Sequence, residues 1–271
     1  MMKSLVFWAL LLVIGVAVWA LSARLDQTPS PAPQFPDGEL VDLSHSYGAD
    51  TIFWPTAEQF RLHKDAEGVT PAGYYYASNS FAMSEHGGTH LDAPVHFAQG
   101  HQSVDRIPLQ RFFGPAVVVD VTKPSDGNAD YQVSVDDLAR AESDGAFTAE
   151  TIVLLRTGFS KRWPDAAKYL GTAERGAEAV PKLHFPGLHP DAAKWLVAKG
   201  VRAVGIDTAS IDYGQSTLFE SHRILYAADL PAFENLTSLE RLPARGAFIV
   251  ALPMKIADGT GAPLRAVGIL P

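Results

Sequence analysis

Short apolar segments alternate along the chain with longer amphipathic ones, and this alternation restricts the fold more than any other feature. Buried strands are predicted at 116–121 (AVVVDV), 151–156 (TIVLLR), 201–207 (VRAVGID) and 247–252 (AFIVAL). Helices are predicted at 134–143, which opens on the capping residue Ser134, and at 189–199, which ends before Gly200. Strands that alternate with helices indicate an α/β domain with a mixed, largely buried sheet flanked by helices.

The N-terminus carries an uncharged, almost wholly apolar segment at residues 5–21, with Lys3 before it and Arg24 after it. Its length is slightly long for the core of a signal peptide and at the short edge for a membrane span. We expect residues 1–24 to form an apolar helix that is an uncleaved signal anchor or a cleaved signal peptide, in preference to a buried core helix. With Lys3 kept inside, either form places the rest of the chain on the extracytoplasmic, periplasmic side.

Residues 25–38 form a proline-rich linker, with four prolines between 27 and 38 and no helical or strand period. The folded domain is predicted to span residues 39–271. No internal repeat interrupts it. The predicted organisation is therefore an anchor or signal, a linker and one α/β domain.

Composition excludes several classes of function. Lysine and arginine together number 22 against 30 acidic residues, a net charge of −8, so the basic surface of a nucleic-acid binder is missing. The chain has no cysteine, which excludes disulfides, thiol nucleophiles and zinc–cysteine sites. No Gly-x-Ser-x-Gly elbow supports a serine hydrolase. Any metal must be held by histidine and carboxylate groups.

Four of the nine histidines lie within residues 84–101 (SEHGGTHLDAPVHFAQGH). In an extended segment His90 and Asp92 point to the same face. The two glycines before Thr89 permit a turn that folds His86 back onto the same site. Two imidazoles and a carboxylate around one point suit Zn²⁺, Mn²⁺ or Fe²⁺. The alternative is a solvated loop that happens to be rich in histidine.

A catalytic metal site keeps one coordination position open for water. Three protein ligands in a dry pocket would lower the pKa of that water towards neutrality and supply a hydroxide nucleophile. His96 follows Asp92 by four residues, so it can lie near the metal without binding it and act as a neighbouring base.

The segment 86–97 (HGGTHLDAPVHF) resembles the signature of the metal-dependent cyclase-type hydrolases, the family of bacterial kynurenine formamidase and isatin hydrolase. Three other stretches resemble the same family. They are Asp42-Leu43-Ser44 followed by Trp54-Pro55, the segment 205–212 (GIDTASID), and His222 followed twelve residues later by Glu234-Asn235-Leu236. The likeness covers residues 39–271, nearly the whole folded part.

The resemblance implies a first metal held by His86, His90 and Asp92, and a second metal position formed by Asp92, His222 and Glu234. Some relatives use two zinc ions bridged by the shared carboxylate, whereas isatin hydrolase is regarded as a manganese enzyme. One or two ions of Mn²⁺ or Zn²⁺ are therefore expected. The resemblance also implies a swivelling β/β/α architecture and a homodimer or larger assembly.

The candidates for substrate binding lie in two short stretches. The segment 212–216 (DYGQS) is similar to the isatin-hydrolase branch, which implies that Tyr213, Gln215 and Ser216 lie near the metal-bound water or the substrate; a turn built around a glycine is the alternative. Phe53 and Trp54 are plausible walls for a flat ring, although core packing or a subunit contact would also account for them.

The predicted function is metal-dependent hydrolysis of a C–N amide bond in a small cyclic or aryl amide, with His96 carrying the proton to the leaving nitrogen. Ring opening of an isatin-like lactam is the leading candidate, and deformylation of an N-formyl arylamine, as in N-formylkynurenine, is the second. A non-catalytic extracytoplasmic protein that binds a metal or small ligand is the alternative from another class. It would need the ligands but not His96.

Overall fold

The structure is a computed structural model that describes residues 38–142 and 145–271. The predicted signal or anchor at 1–24, nearly all of the linker, and Ser143 at the end of the helix predicted at 134–143 lie outside the described residues. Among the residues described, no helix is both long enough and apolar enough to span a membrane.

The strands, in chain order, are β1 (Leu40–Asp42), β2 (Arg61–Val69), β3 (Tyr75–Ala82), β4 (His90–Asp92), β5 (Phe113–Asp120), β6 (Gln132–Val133), β7 (Ile152–Arg156), β8 (Gly187–Leu188), β9 (Ala203–Ile206), β10 (Ala232–Glu234), β11 (Arg245–Pro253) and β12 (Gly261–Ile269). The α-helices are α1 (Thr122–Gly127), α2 (Val135–Ala141), α3 (Ala166–Leu170), α4 (Pro190–Lys199) and α5 (Glu220–Tyr226). Short 3₁₀ turns are Pro94–His96, Val104–Arg106, Leu109–Phe112, Phe159–Arg162, Ala177–Lys182 and Leu239–Arg241.

One mixed sheet of eight strands, in the order β1-β12-β11-β5-β7-β9-β10-β4, organises the domain. Strands β5, β7, β9 and β10 run parallel to one another, and the remaining pairings are antiparallel. Strand β12 also pairs with β4, through Gly261–Pro263 and His90–Asp92, so the sheet closes on itself into a barrel-like arrangement. The mixed sheet flanked by helices is thus confirmed, whereas its closure was not predicted.

Alternate residues of the parallel strands face two different apolar cores, as the two-residue period of a strand requires. Val118 and Leu154 belong to a first core, to which all eight strands of the closed sheet contribute. Val119 and Leu155 belong to a second core, in which the same strands pack against α2, α4 and α5. Burial on both faces explains why these strands read as continuous apolar runs.

The predicted helices form where their start signals lie. Helix α2 begins after Ser134, whose side chain accepts from the backbone N–H of Asp137 while the Asp137 carboxylate accepts from Ser134, a complete capping box. Helix α4 begins with Pro190 and ends at Gly200, which adopts the left-handed conformation typical of a C-terminal cap.

The hairpin formed by β2 and β3 differs from the rest of the domain because nearly every residue of both strands is exposed or only partly buried. Large apolar side chains are among them, including Val69, which is 75% exposed, and Phe81, which is 53% exposed. Two strands alone form a marginal structure in water.

Candidate metal centre

Strand β4 brings His90 and Asp92 into the site. It lies between β10 and β12, and its central residue Leu91 packs into the core inside the closed sheet. Because side chains alternate along a strand, His90 and Asp92 point together to the opposite side, as expected from the sequence. Both side chains are buried.

Strand β10 supplies the second carboxylate by the same alternation. Glu234 lies opposite His90 in the antiparallel register, and Phe233 beside it faces the inner core. Glu234 therefore shares the face of His90, and Glu234 Oε2 lies 3.5 Å from His90 Nε2. Glu234, 144 positions after His90 in the sequence, thus meets the histidine motif through strand pairing.

A glycine pair turns the chain so that His86 joins the group. A Cβ atom on Gly87 would lie 2.0 Å from the ring of Phe53, and Gly88 has a φ of +58°, which favours glycine. The turn places His86 Nδ1 2.7 Å from Asp92 Oδ1.

Helix α5 carries His222 onto the same face. The carboxylate of Asp212 accepts from the backbone N–H of His222 at 3.0 Å and lies 2.5 Å from His222 Nδ1. With its Nδ1 proton donated to Asp212, the ring directs Nε2 towards the centre, 3.4 Å from Asp92 Oδ2 and 3.3 Å from Glu234 Oε1. Such a carboxylate–histidine pair is the usual support of a metal ligand.

The donor set fits a divalent cation. His90 Nδ1 lies 3.0 Å from the carbonyl oxygen of Gly88, to which it donates, whereas buried His90 Nε2 has no hydrogen-bond partner. That orphaned nitrogen lies 3.1 Å from Asp92 Oδ1 and 3.5 Å from Glu234 Oε2. Two ligands bound tetrahedrally to one zinc ion are about 3.4 Å apart, given bond lengths of about 2.1 Å. The observed separations match this value.

The pKa values of the two buried carboxylates, Asp92 and Glu234, also favour a bound cation. Burial, and then the charge of Asp92, raises the pKa of Glu234. Burial disfavours the ionised form of Asp92 as well. The neighbouring His86 and His96 nevertheless hold the pKa of Asp92 well below its usual range. Two buried acids this close repel each other unless positive charge lies beside them, and a divalent ion would supply that charge.

His96 lies beside this group at the end of the turn Pro94–His96, with its ring stacked on that of His86 at a centroid distance of 3.9 Å. Burial, opposed by the charge of Asp92, lowers the pKa of His96 to about 4, so its imidazole is neutral near pH 7. Ligand atoms of His86, Asp92 and His96 lie within 4.8 Å of one another. This position suits either a proton carrier or a further ligand.

A cavity of about 310 Å³ opens in front of the group. His86, His90, Asp92, His96, His222 and Glu234 all line it. Aromatic side chains line it as well, among them the predicted Phe53 and Trp54 together with Phe97 and Phe219. Phe53 is buried, and Trp54 packs against Phe219 with ring centroids 6.3 Å apart. The cavity therefore combines a polar centre with an aromatic lining.

Tyr213, Gln215 and Ser216 line a separate recess instead of this cavity. The Gln215 side-chain amide donates to the carbonyl oxygen of Leu183 at 2.5 Å, and the Ser216 hydroxyl donates to Asp212 at 3.3 Å. Gln215 thus ties its loop to the segment before β8, and Ser216 bonds within the loop. None of the three lines the cavity in this structure, and their nearness to a bound substrate stays a prediction.

Two contributors were not singled out from the sequence. Tyr226 follows His222 by one helical turn, and its hydroxyl donates to Asp92 Oδ2 at 2.8 Å. Asp212 was noted only as part of a motif, although it orients His222. The four-residue spacing between Tyr226 and His222 was the available signal for the first, since residues four apart share a helix face.

The closed sheet, the turn before β4 and helix α5 together bring three histidines and two carboxylates to an aromatic cavity, an arrangement typical of a metal-dependent hydrolase. The family model described as "Putative cyclase" matches residues 41–213, and the chain belongs to this cyclase family of metal-dependent hydrolases.

Individual relatives agree with this assignment. The chain is 30% identical over 266 residues to isatin hydrolase of Roseibium aggregatum, covering 95% of this chain and 96% of that one. It is 32% identical over 236 residues to kynurenine formamidase of Salinibacter ruber, covering 84% and 96%. The solved structure of isatin hydrolase A from Labrenzia aggregata bound to benzyl benzoate is similar with a TM-score of 0.76 and 33% identity, covering 86% and 93%.

Proposed function

We propose that this chain hydrolyses the C–N amide bond of a small cyclic amide, with an isatin-like lactam as its substrate. The observation that carries the proposal is the convergence of three imidazoles and two carboxylates on a cavity with an aromatic lining. The lactam is favoured because similarity to an isatin hydrolase extends over 95% of the chain. N-formyl arylamine deformylation is the second candidate, supported by the 32% identity to a kynurenine formamidase.

We infer that one or two divalent ions, Mn²⁺ or Zn²⁺, are held by His86, His90, Asp92, His222 and Glu234. When bound, such an ion acts as a Lewis acid that polarises a substrate carbonyl and makes a water molecule more acidic. The protein's own part is to fix the ligands: Asp212 accepts a hydrogen bond from Nδ1–H of His222, and the Tyr226 hydroxyl donates to Asp92.

The substrate would lie with its ring against the aromatic side chains of the cavity. A volume of about 310 Å³ is at the small end of the range of about 300–1,000 Å³ for ligand pockets. Phe53 and Phe219 offer apolar surface for a flat ring and leave little room for bulk water. A small bicyclic or aryl amide suits this space better than a polymer does.

His96 is proposed as the proton carrier. Its neutral imidazole accepts a proton from the attacking water and returns it to the amide nitrogen as the C–N bond breaks. The oxygen of the water remains on the carbonyl carbon and its second proton is released to solvent, so the products are a carboxylate and an amine. In a lactam both groups stay on one molecule, and the ring opens.

Metal exchange and a substrate panel test the proposal. The purified protein is stripped with a chelator, reloaded with Mn²⁺ or Zn²⁺, and assayed on isatin, N-formylkynurenine and a simple lactam. We expect metal-dependent turnover that is fastest with isatin. Faster turnover of N-formylkynurenine would favour the second candidate. Metal binding without hydrolysis of any amide would instead support a non-catalytic binding protein.

The variant His96→Asn tests the proton carrier. Loss of general acid–base catalysis costs about 10²- to 10⁴-fold in rate, so we expect kcat to fall by at least a hundredfold while metal content stays constant. The matched control is His101→Asn, because His101 lies outside the cavity and contacts Asp229 at 3.1 Å. If His96→Asn loses metal while His101→Asn retains it, His96 is a ligand rather than the proton carrier.

We further propose that the enzyme acts on the extracytoplasmic side and forms a homo-oligomer. The apolar segment at 5–21 supports the first statement. The exposed apolar residues of the β2–β3 hairpin support the second, since a second copy would cover them. Cell fractionation and light scattering of the purified protein test the two statements separately.

A further inference from the structure

The loop before β12 makes contacts with His86 that the proposed reaction does not explain. His86 Nε2 lies 2.9 Å from the hydroxyl oxygen of Thr260. That hydroxyl in turn lies 2.6 Å from Glu85 Oε2. The residue before the histidine and a residue 174 positions away from it thus form one chain of contacts that ends on the imidazole.

The direction of each hydrogen bond follows from the available protons. Glu85 Oε2 also accepts the backbone N–H groups of Thr260 at 2.9 Å and Gly261 at 3.3 Å, so it is an acceptor. The Thr260 hydroxyl has a single proton, which it must donate to Glu85. Its oxygen can then only accept from His86, and the imidazole proton must lie on Nε2.

The assignment of a proton to Nε2 of His86 determines what its other ring nitrogen, Nδ1, can do. In the neutral ring, a proton on Nε2 leaves on Nδ1 the lone pair that can bind a cation, and Nδ1 lies 2.7 Å from Asp92 Oδ1. A cation held by both atoms would replace the hydrogen bond between them. His90 and His222 differ, because they donate through Nδ1 and present Nε2 to the centre.

The two glycines that flank Thr260 leave the space that His86 and Glu85 occupy. A Cβ atom on Gly261 would lie 2.5 Å from Cε1 and 2.8 Å from Nδ1 of His86, so only glycine lets the ring lie flat against this strand. A Cβ atom on Gly259 would lie 3.1 Å from Glu85 Oε1. The segment Gly259-Thr260-Gly261 has a packing role on both sides.

We propose that Glu85, Thr260 and Gly261 form a seat for His86 that fixes its tautomer and makes Nδ1 the atom that binds the metal. These three are positioning residues, and none is placed to touch the substrate. The inference rests on the proposed function, because it takes His86 as a metal ligand. It adds which atom ligates and which residues impose that choice.

Zinc titration of three variants tests the seat, with Zn²⁺ alone as the probe. Thr260→Val keeps the shape of the side chain but removes the hydroxyl, and loss of such an outer hydrogen bond typically weakens metal affinity about 10- to 100-fold. Thr260→Ser is the matched control, because it keeps the hydroxyl and should bind zinc as the unmodified protein does. Glu85→Gln should weaken binding in the same direction as Thr260→Val.

NMR of the zinc-loaded protein, labelled with ¹⁵N at histidine, provides a readout that is independent of activity and of any variant. We expect the His86 ring to show a proton on Nε2 and zinc on Nδ1. Zinc on Nε2 would overturn the inference, and so would equal zinc affinity in Thr260→Val and Thr260→Ser.

The variant His86→Ala separates failure of the seat from failure of the proposed function. If it binds zinc as tightly as the unmodified protein, His86 is not a ligand, and the metal centre itself has been assigned wrongly. If His86→Ala loses affinity while Thr260→Val does not, only the seat is refuted.

Discussion

Removal of the Tyr226 hydroxyl tests how the protein positions Asp92, the carboxylate at the centre of the site. It donates to Asp92 Oδ2 at 2.8 Å, and both residues are buried, at 0% and 1% exposure. Burial, and then the charges of Asp92 and Glu234, raises the pKa of Tyr226 well above its ordinary value, so the hydroxyl remains a neutral donor. Tyr226→Phe removes this one oxygen and leaves no cavity that a larger truncation would create.

The expected loss of stability follows from the charge on the acceptor. A hydrogen bond to a charged group contributes about 1.5–3 kcal/mol, so the free energy of unfolding of the metal-free protein should fall by about 2 kcal/mol. For a domain of this size, each kcal/mol lowers Tm by about 2–4 °C, which predicts a decrease of about 4–8 °C. Zinc affinity should fall about tenfold or more, because Asp92 loses the group that orients it.

Urea unfolding of the chelated protein measures the first effect, and calorimetric zinc titration measures the second. The midpoint should shift while the slope of the unfolding curve stays constant, since the folded structure is retained. Tyr75→Phe, in the exposed hairpin, is the matched control and should change stability by less than about 0.5 kcal/mol. If Tyr226→Phe behaves like Tyr75→Phe in both assays, the hydrogen bond to Asp92 has no role.

Two further substitutions give separate tests. Asp212→Asn should weaken zinc binding about 10- to 100-fold in a calorimetric titration, because the amide no longer offers His222 a charged acceptor for its Nδ1 proton; unchanged affinity would contradict this support. Burial lowers the pKa of His45 from 6.5 to about 4, so protonation of the unfolded chain reduces stability as the pH falls through that window, by at most about 3 kcal/mol. His45→Phe keeps the stacking on Trp163 and should flatten this part of the pH profile in urea unfolding; an unchanged profile would contradict the assignment to His45.

Local signals predicted local structure well. The β-branched runs formed β5 and β7, and the residues around Ser134 formed a capped helix. The two-residue period of a strand also placed His90 and Asp92 on one face before any long-range contact was known. These inferences hold because each depends on neighbours within a few positions.

The side-chain directions in the loop after β9 could not be read in this way. Gln215 and Ser216 lie in a stretch similar to a known branch of the family, yet they line a separate recess and not the cavity. A Cβ atom on Gly214 would lie 2.7 Å from the backbone of Leu183, so this loop presses directly on the segment before β8. A contact between segments 31 residues apart thus constrains the conformation of this loop.

The motifs of the sequence indicated the candidate metal ligands, but the geometry of the centre could not be predicted because it depends on closure of the sheet. Strand β4 takes β10 on one side and β12 on the other, so Glu234 and the seat formed by Glu85, Thr260 and Gly261 reach the histidine motif only when both pairings form. Two distant segments share the ligands: 86–96 supplies His86, His90 and Asp92, and 222–234 supplies His222 and Glu234. Because the ligands converge only in the folded domain, any free energy gained from a bound cation also stabilises the fold against unfolding.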